Sequence, residues 1–403
     1  MERVSVYLQP AREKSVLHGH PWIFSGSIAR VTGNSGDNSP ALADVLDSRG
    51  CWLAQGIWNP QTNLAVRLYS WDEKRSIDAD FLCERIGRAV AMRENMANAM
   101  GTTDSTTNAY RLVFSESDGL SGLIVDRYAD TLVVQVSAGG LVPHLGPIVA
   151  YLTERTNIKT ILVKADPESA NREGFDPASI ATLSTQTRTS VGIRENGLLF
   201  EVDLESGQKT GFFLDQRDNR SRVALHAAGR RVLSAYCYTG AFETYAARAG
   251  AREILGLDSS EPALTLARHH QAINGFATPA TYEKADVPLA LRKFRDEART
   301  FDMIILDPPR FVASTAQKER GMRAYKDINL LAMKLLSQEG ILATFSCSGM
   351  ISSEEFSRII GWASVDARRR VRVVETLGQP FDHPILATFQ ESNYLNGLIC
   401  LVE

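Results

Sequence analysis

The chain has no apolar run long enough for a bilayer, no CxxC pair, no GxGxxG turn and little net charge, and each absence closes a line of function. A membrane helix needs roughly 18 to 20 consecutive apolar residues, far more than any run here supplies. The five cysteines, Cys51, Cys83, Cys237, Cys347 and Cys400, lie far apart and have no histidine set beside them. Neither a zinc centre nor a disulfide framework is supported. A phosphate-bearing dinucleotide would want the glycine-rich turn that is missing. A net charge of −3 excludes a uniformly cationic nucleic-acid coat, although a local basic face suffices for binding. The opening "MERVSVYLQPAREK" lacks the apolar core of a signal peptide, which predicts a cytoplasmic protein with reduced thiols.

What is present is enough chain for two or three domains, since 403 residues exceed one ordinary core. Residues 1–73 read as short strands ("SVYLQP", "PWIFSGSIARV", "ALADVLDS", "CWLAQGIWNP", "LAVRLYS") and predict a small β-barrel, with "TGNSGDNSP" as a loop. Residues 75–204 read as a small α+β domain that starts with the helical "DADFLCERIGRAVAMRENMANAM". From 205 to 403, apolar runs alternate with helix-length segments: "RVLSAYCYT", "EILGLDSS", "ATYEKAD", "FDMIILDPP", "GILATFSCS", "RVRVVETLG", "NGLICLVE". This α/β pattern predicts a mostly parallel, doubly wound sheet, with the last two runs as an antiparallel edge pair.

In such a sheet ligands bind beyond the carboxyl ends of the strands. There the chain places Gly240 in "AYCYTGAF", then Asp258, Asp286, and Asp307 in "LDPPR". A carboxylate after the second strand can accept two hydrogen bonds from a ribose diol, which suits Asp258. A nucleoside cofactor without phosphates fits this edge, and S-adenosylmethionine is one. Taken singly, each strand-end Asp is equally a helix cap.

"FFLDQRDNR", "AYCYTGAF", "LDPPRF", "YKDIN" and "TFSCSG", in this order, resemble the bacterial 23S rRNA (cytosine-5)-methyltransferase I family over nearly the whole chain. The resemblance implies a PUA-like domain, a small α+β domain and a Rossmann-like class I methyltransferase domain acting on 23S ribosomal RNA. It also implies that Asp215 and Gln216 lie by the cofactor's methionine end, Tyr236 to Gly240 beneath it, Asp258 at the ribose, Asp286 on the adenine side, and Asp307 at the reacting centre. The alternative for "FFLDQR" is a lead-in to a helix with Arg217 on its solvated side. A homodimer is a candidate assembly, and no membrane partner is expected.

Cytosine C5 accepts a methyl group only after a thiolate has added at C6, and Cys347, ending the fifth run beside Asp307, is the candidate nucleophile. The N-terminus of the next helix, "SSEEFSRIIGW", could favour its thiolate. The bland alternative is a small apolar residue closing a strand. Cys237 reads better as packing. Exocyclic-amine methyltransferases carry an aromatic residue directly after D/N-P-P, whereas here Arg310 intervenes before Phe311. RNA N-methylation therefore stands as the competing enzyme reading, and a non-catalytic RNA-binding assembly factor as a third. "RFVASTAQKERGMRAYK", Lys326 and Asp327, and "ARRRVR" are candidate RNA contacts, each with a solvated-surface alternative. His18 and His20 in "HGHPWIFSGSI" supply too few ligands for a metal, and this stretch resembles the opening of PUA domains.

Overall fold

The computed structural model describes residues 1–33, 39–186, 188–205, 207, 210–312 and 314–403. The centre of the expected loop "TGNSGDNSP" lies outside them. The chain divides into two compact units.

The first unit comprises 1–193, 202–212 and 381–392. Its six-stranded mixed sheet runs in the order Trp22–Ile23, Val66–Ser70, Trp52–Trp58, Ala41–Leu46, Arg3–Leu8, Ile28–Thr32. Val4, Val6 and Leu8 alternate with more exposed neighbours, and Ala41, Ala43 and Val45 do the same, so one face of each strand is buried. A four-stranded sheet follows, in the order Thr160–Lys164, Thr131–Val136, Leu123–Tyr128, Ala109–Phe114, with helices Ala79–Ala99 and Leu145–Thr156. Ile57 and Tyr69 of the first sheet join the core of this second layer, so the apolar interior runs through the boundary expected near residue 74.

The segment Phe381–Ser392, which the sequence reading places in the C-terminal domain, belongs to this first unit. Asp382 draws it in. Its carboxylate accepts the Arg111 backbone N–H at 2.9 Å, and its carbonyl accepts from the buried Arg93 guanidinium at 3.1 Å.

The second unit comprises 194–201, 213–380 and 393–403. Its strands are β1 (Arg231–Ala235), β2 (Glu253–Asp258), β3 (Ala280–Lys284), β4 (Phe301–Leu306), β5 (Leu336–Ser346), β6 (Val371–Leu377) and β7 (Asn396–Val402), in the spatial order 3-2-1-4-5-7-6. The first five strands pair in parallel; β7 runs antiparallel to both β5 and β6. Alternate residues feed separate cores on the two faces. Leu233, Ile304, Leu306 and Leu342 pack on one, and Val232, Met303, Ile305, Ile341 and Phe345 on the other. With both faces covered, the strands read as continuous apolar runs.

The helices are α1 (Arg217–Ala224), α2 (Ala241–Arg248), α3 (Glu261–Asn274), α4 (Val287–Asp296), α5 (Lys318–Leu335) and α6 (Ser353–Ala367). Short polar caps start α3, α4 and α6. Ser260 accepts from Ala263 N–H, Asp286 from Leu289 N–H, and Ser352 forms a reciprocal capping box with Glu355. The topology reverses between β1 and β4, and the carboxyl ends of those strands are where a ligand site belongs.

Candidate functional site

After β1 the chain places Tyr236 (φ 65°) and Tyr238 (φ 48°) in the left-handed region on either side of Cys237. Bulky residues seldom stay there unless the surroundings hold them. Three backbone bonds do so: Cys237 N–H to the Leu257 carbonyl, Tyr238 N–H to Asp258 Oδ2, and Gly240 N–H to the Cys237 carbonyl, each 2.9 Å. The other Asp258 oxygen accepts the Ser260 N–H, also at 2.9 Å. A carboxylate offers about four acceptor positions, so the fixed Asp258 can still receive a diol.

Gly240 has a second reason to be glycine. Its φ of 74° favours the residue, and an added Cβ would stand 2.8 Å from the Ala267 Cβ on α3. Close packing of α2 on α3 therefore requires it, in addition to the ligand approach read from the sequence.

Asp215 and Gln216 lie buried in a short 3-10 turn that leads into α1. The Gln216 amide donates to Asp307 Oδ1 at 3.0 Å and accepts from Asn219 at 2.6 Å, while Tyr394 donates to Asp215 Oδ2 at 2.6 Å. The segment is thus tied to the end of β4. Arg217, expected on a solvated side in the alternative reading, is only 4% exposed. Neither Asn219 nor Tyr394 stood out in the sequence; a polar residue one turn beyond "LDQ" was a signal for the first.

Asp286 caps α4 through Oδ1, 3.1 Å from the Leu289 N–H. It also lies near Tyr236, whose hydroxyl is pushed upward by burial first and by Asp286 and Asp327 after it. The Phe311 ring meets Tyr236 edge-on at 6.4 Å and Tyr325 at 4.8 Å, giving an aromatic wall from the β1 turn to the β4 turn. Gly321 lets α5 press on that turn, since a Cβ there would lie 2.8 Å from the Phe311 carbonyl.

Cys347 follows β5, half-buried, with Sγ 3.8 Å from the Pro308 carbonyl of the "DPPR" turn. Its neighbour Ser348 anchors the surroundings, with the Tyr325 hydroxyl at 2.9 Å and the Val312 N–H donating at 3.3 Å. Cys237 is buried against Leu264, Ala267 and Tyr282, and burial pushes its thiol well above the ordinary range. Cys400, equally enclosed in the sheet, is pushed by burial to about 12.

Other expected contacts have structural partners. Lys326 pairs with Asp366 at 2.6 Å, and Asp327 with Arg292, so "YKDIN" presents helix-surface ion pairs. In "ARRRVR" the Arg369 guanidinium donates to the carbonyls of Met333, Leu336, Ser337, Val402 and Glu403, which makes it a clasp on the sheet. The N-terminus of α6, expected to favour the Cys347 thiolate, is capped by its own Ser352 and Glu355, the latter paired with Lys318 at 2.7 Å. His20 contacts Glu391 at 3.4 Å, and no metal-holding group occurs among the described residues.

Two family models match: a PUA-like domain over residues 6–71 and an S-adenosylmethionine-dependent methyltransferase over 171–352. The ribosomal RNA large subunit methyltransferase I of Shewanella denitrificans is 42% identical over 400 residues, covering 99% of both chains. That of Tolumonas auensis is 42% identical over 397 residues, covering 98% of both. The chain belongs to the ribosomal RNA large subunit methyltransferase I family. A chain from Streptococcus mutans assigned as a SAM-dependent methyltransferase superposes with TM-score 0.81 at 21% identity, over 98% of this chain and 99% of its own. The structure of SMU.776, assigned as a methyltransferase and complexed with S-adenosylhomocysteine, gives 0.82 at 21% over the full length of both, which shows the shared fold. S-adenosylmethionine is the cofactor of this methyltransferase. The phosphate-free, acid-lined edge from Asp258 to Asp307 fits its cationic, diol-bearing form.

Proposed function

We propose that this methyltransferase forms 5-methylcytosine in 23S ribosomal RNA, with Cys347 as the nucleophile. The observation that supports it best is the contrast among the three cysteines of the second unit. Cys237 and Cys400 are buried, whereas Cys347 is half-buried beside the turn that carries Asp307. Bound S-adenosylmethionine supplies an electrophilic methyl group. Asp258 would hold its ribose, Asp286 its adenine side, Asp215 and Gln216 its methionine end, and the Tyr236 to Gly240 turn would pass beneath it.

Cys347 bonds C6 and makes C5 nucleophilic; once C5 is methylated, the C5 proton leaves to a base, the electrons restore the ring double bond and sulfur is expelled. Asp307, steadied by Gln216, faces the reacting centre, and the half-buried Tyr236 and Phe311, the latter backed by the buried Tyr325, offer ring surfaces for a base taken out of its stack. Residues 1–73 serve to position the RNA, in keeping with the PUA-like match.

Fluorine at C5 cannot leave as the proton does, so RNA carrying 5-fluorocytidine should trap a cofactor-dependent adduct that survives denaturation and maps to Cys347. A methylated nitrogen in the product nucleoside, with no adduct formed, would replace this reading with N-methylation.

A further inference from the structure

Glu243 lies in the first turn of α2, three residues after Gly240, and is fully buried. Its carboxylate meets no cation among the described residues, and its polar neighbours are the Ser234 hydroxyl and its own backbone N–H. The Ser234 hydroxyl on β1 is near enough to lower its pKa somewhat, but burial dominates and raises it to about 7, with Asp258 and Asp307 pushing the same way. Cys237 and Tyr282 complete the surroundings, and both feel the Glu243 charge.

The cations and imidazole on neighbouring helices are committed elsewhere. On α3, Arg268 bonds Glu261 at 2.9 Å and the Tyr282 carbonyl at 3.0 Å, and His270 contacts the Thr239 carbonyl at 2.7 Å. On α1, Arg220 places two nitrogens on Glu195, each at 2.7 Å. A buried carboxylate left without a cation costs several kcal/mol, so it stays protonated until a positive charge arrives. At this edge of the sheet the arriving molecule is the cofactor, whose sulfur carries a positive charge before methyl transfer and none after it.

We propose that Glu243 is the counter-charge to the cofactor's sulfonium, giving its proton to solvent when S-adenosylmethionine binds and taking one back once the methyl group has left. The pairing makes the site prefer the methyl donor to S-adenosylhomocysteine, which lacks the methyl group and the positive charge on sulfur, and so eases product release. It rests on the cofactor and not on which base is methylated, so loss of the cytosine-5 reading would leave it standing.

The test is calorimetric binding of both molecules to the intact protein between about pH 6 and pH 8. With a free-state pKa of about 7, affinity for S-adenosylmethionine should rise about tenfold across that window and level off above it. Affinity for S-adenosylhomocysteine should show no such gain, and since both carry the same amino-acid end, their difference isolates the sulfonium. Near pH 6.5, titrations in two buffers of different ionisation enthalpy should show proton release with the donor alone. Glu243→Gln should abolish the difference in slope. Equal slopes and equal proton release for the two molecules in the wild-type protein would overturn the proposal even if the variant failed to fold, and so would a folded Glu243→Gln protein that kept the difference.

Discussion

The turns that follow β1 and β4 end neighbouring strands of one sheet, yet they are built on opposite plans. After β1, two left-handed tyrosines, a buried cysteine and a buried glutamate are held by backbone hydrogen bonds and by the packing of α2 on α3. After β4, two prolines set the turn, Arg310 is exposed, Phe311 is half-buried, and the Cys347 sulfur lies alongside. The first arrangement buries Cys237 and Glu243 beneath half-buried tyrosines, so a charge within it is poorly screened, as a small charged ligand requires. The second leaves polar and aromatic groups accessible, as a macromolecular substrate requires.

The sharpest way to break this comparison is to exchange its two cysteines for alanine. Under the proposed assignment Cys347→Ala should lose methylation by at least about a thousandfold, since covalent activation has no substitute in the site. Its S-adenosylmethionine affinity should stay within about twofold, because the turn after β1 is untouched. Cys237→Ala should reverse the pattern, keeping methylation while lowering stability by about 1 kcal/mol through the small cavity it leaves. Single-turnover methylation and urea unfolding of the two proteins decide the matter, and equal activity in both would end the distinction.

Asp258→Ala should come next, with cofactor affinity reduced about 10- to 100-fold through loss of charge-assisted hydrogen bonds. Part of that loss would come from the turn itself, because Asp258 also fixes the Tyr238 N–H. Asp258→Asn separates the contributions: it keeps one of the two oxygens that accept backbone N–H groups but loses the charge, so it should recover part of the stability and little of the affinity. Unchanged affinity in the alanine protein would move the ribose elsewhere.

Gly240→Ala tests whether the β1 turn is as tightly determined as its geometry implies. The positive φ and the collision with Ala267 together predict about 2 kcal/mol of destabilisation. Methylation per folded molecule should fall less than it does in Asp258→Ala. A fully stable variant would mean that α2 can shift on α3, and the turn would lose its claim to rigidity.

How much of this was legible beforehand follows from where each residue's partners sit in the chain. The strands of the second unit could be read because burial on both faces leaves unbroken apolar runs such as "MIIL", and Asp258 and Asp286 because strand-end acids carry their own local signal. Glu243 gave no such signal, since an acid in the first turn of a helix reads as a favourable interaction with the helix dipole at the surface, and only the fold buries it. Tyr394 meets Asp215 across 179 residues, and Asp382 meets Arg111 across 271, at separations that no local pattern encodes. The basic run "ARRRVR", read as an RNA contact or a solvated surface, holds a residue that is neither. Arg369 looks like an RNA contact until five carbonyl groups surround it.

Arg310 gives the smallest expected effect and bears most directly on the open character of the β4 turn. Its side chain is exposed, and its Nε donates to the Val312 carbonyl at 2.8 Å, which steers the guanidinium without consuming its remaining donors. If this turn meets RNA, Arg310→Ala should lower RNA affinity about threefold and reduce the slope of log affinity against log salt by about one. Cofactor affinity should not change, because the hydrogen bond of Arg310 stays within the β4 turn, at the Val312 carbonyl. Arg310→Lys should recover the salt dependence, since one phosphate contact needs only a positive charge. Unaltered RNA binding in Arg310→Ala at every salt concentration would mean that the β4 turn is exposed without being a contact, leaving the half-buried Cys347 as the feature that distinguishes it from the turn after β1.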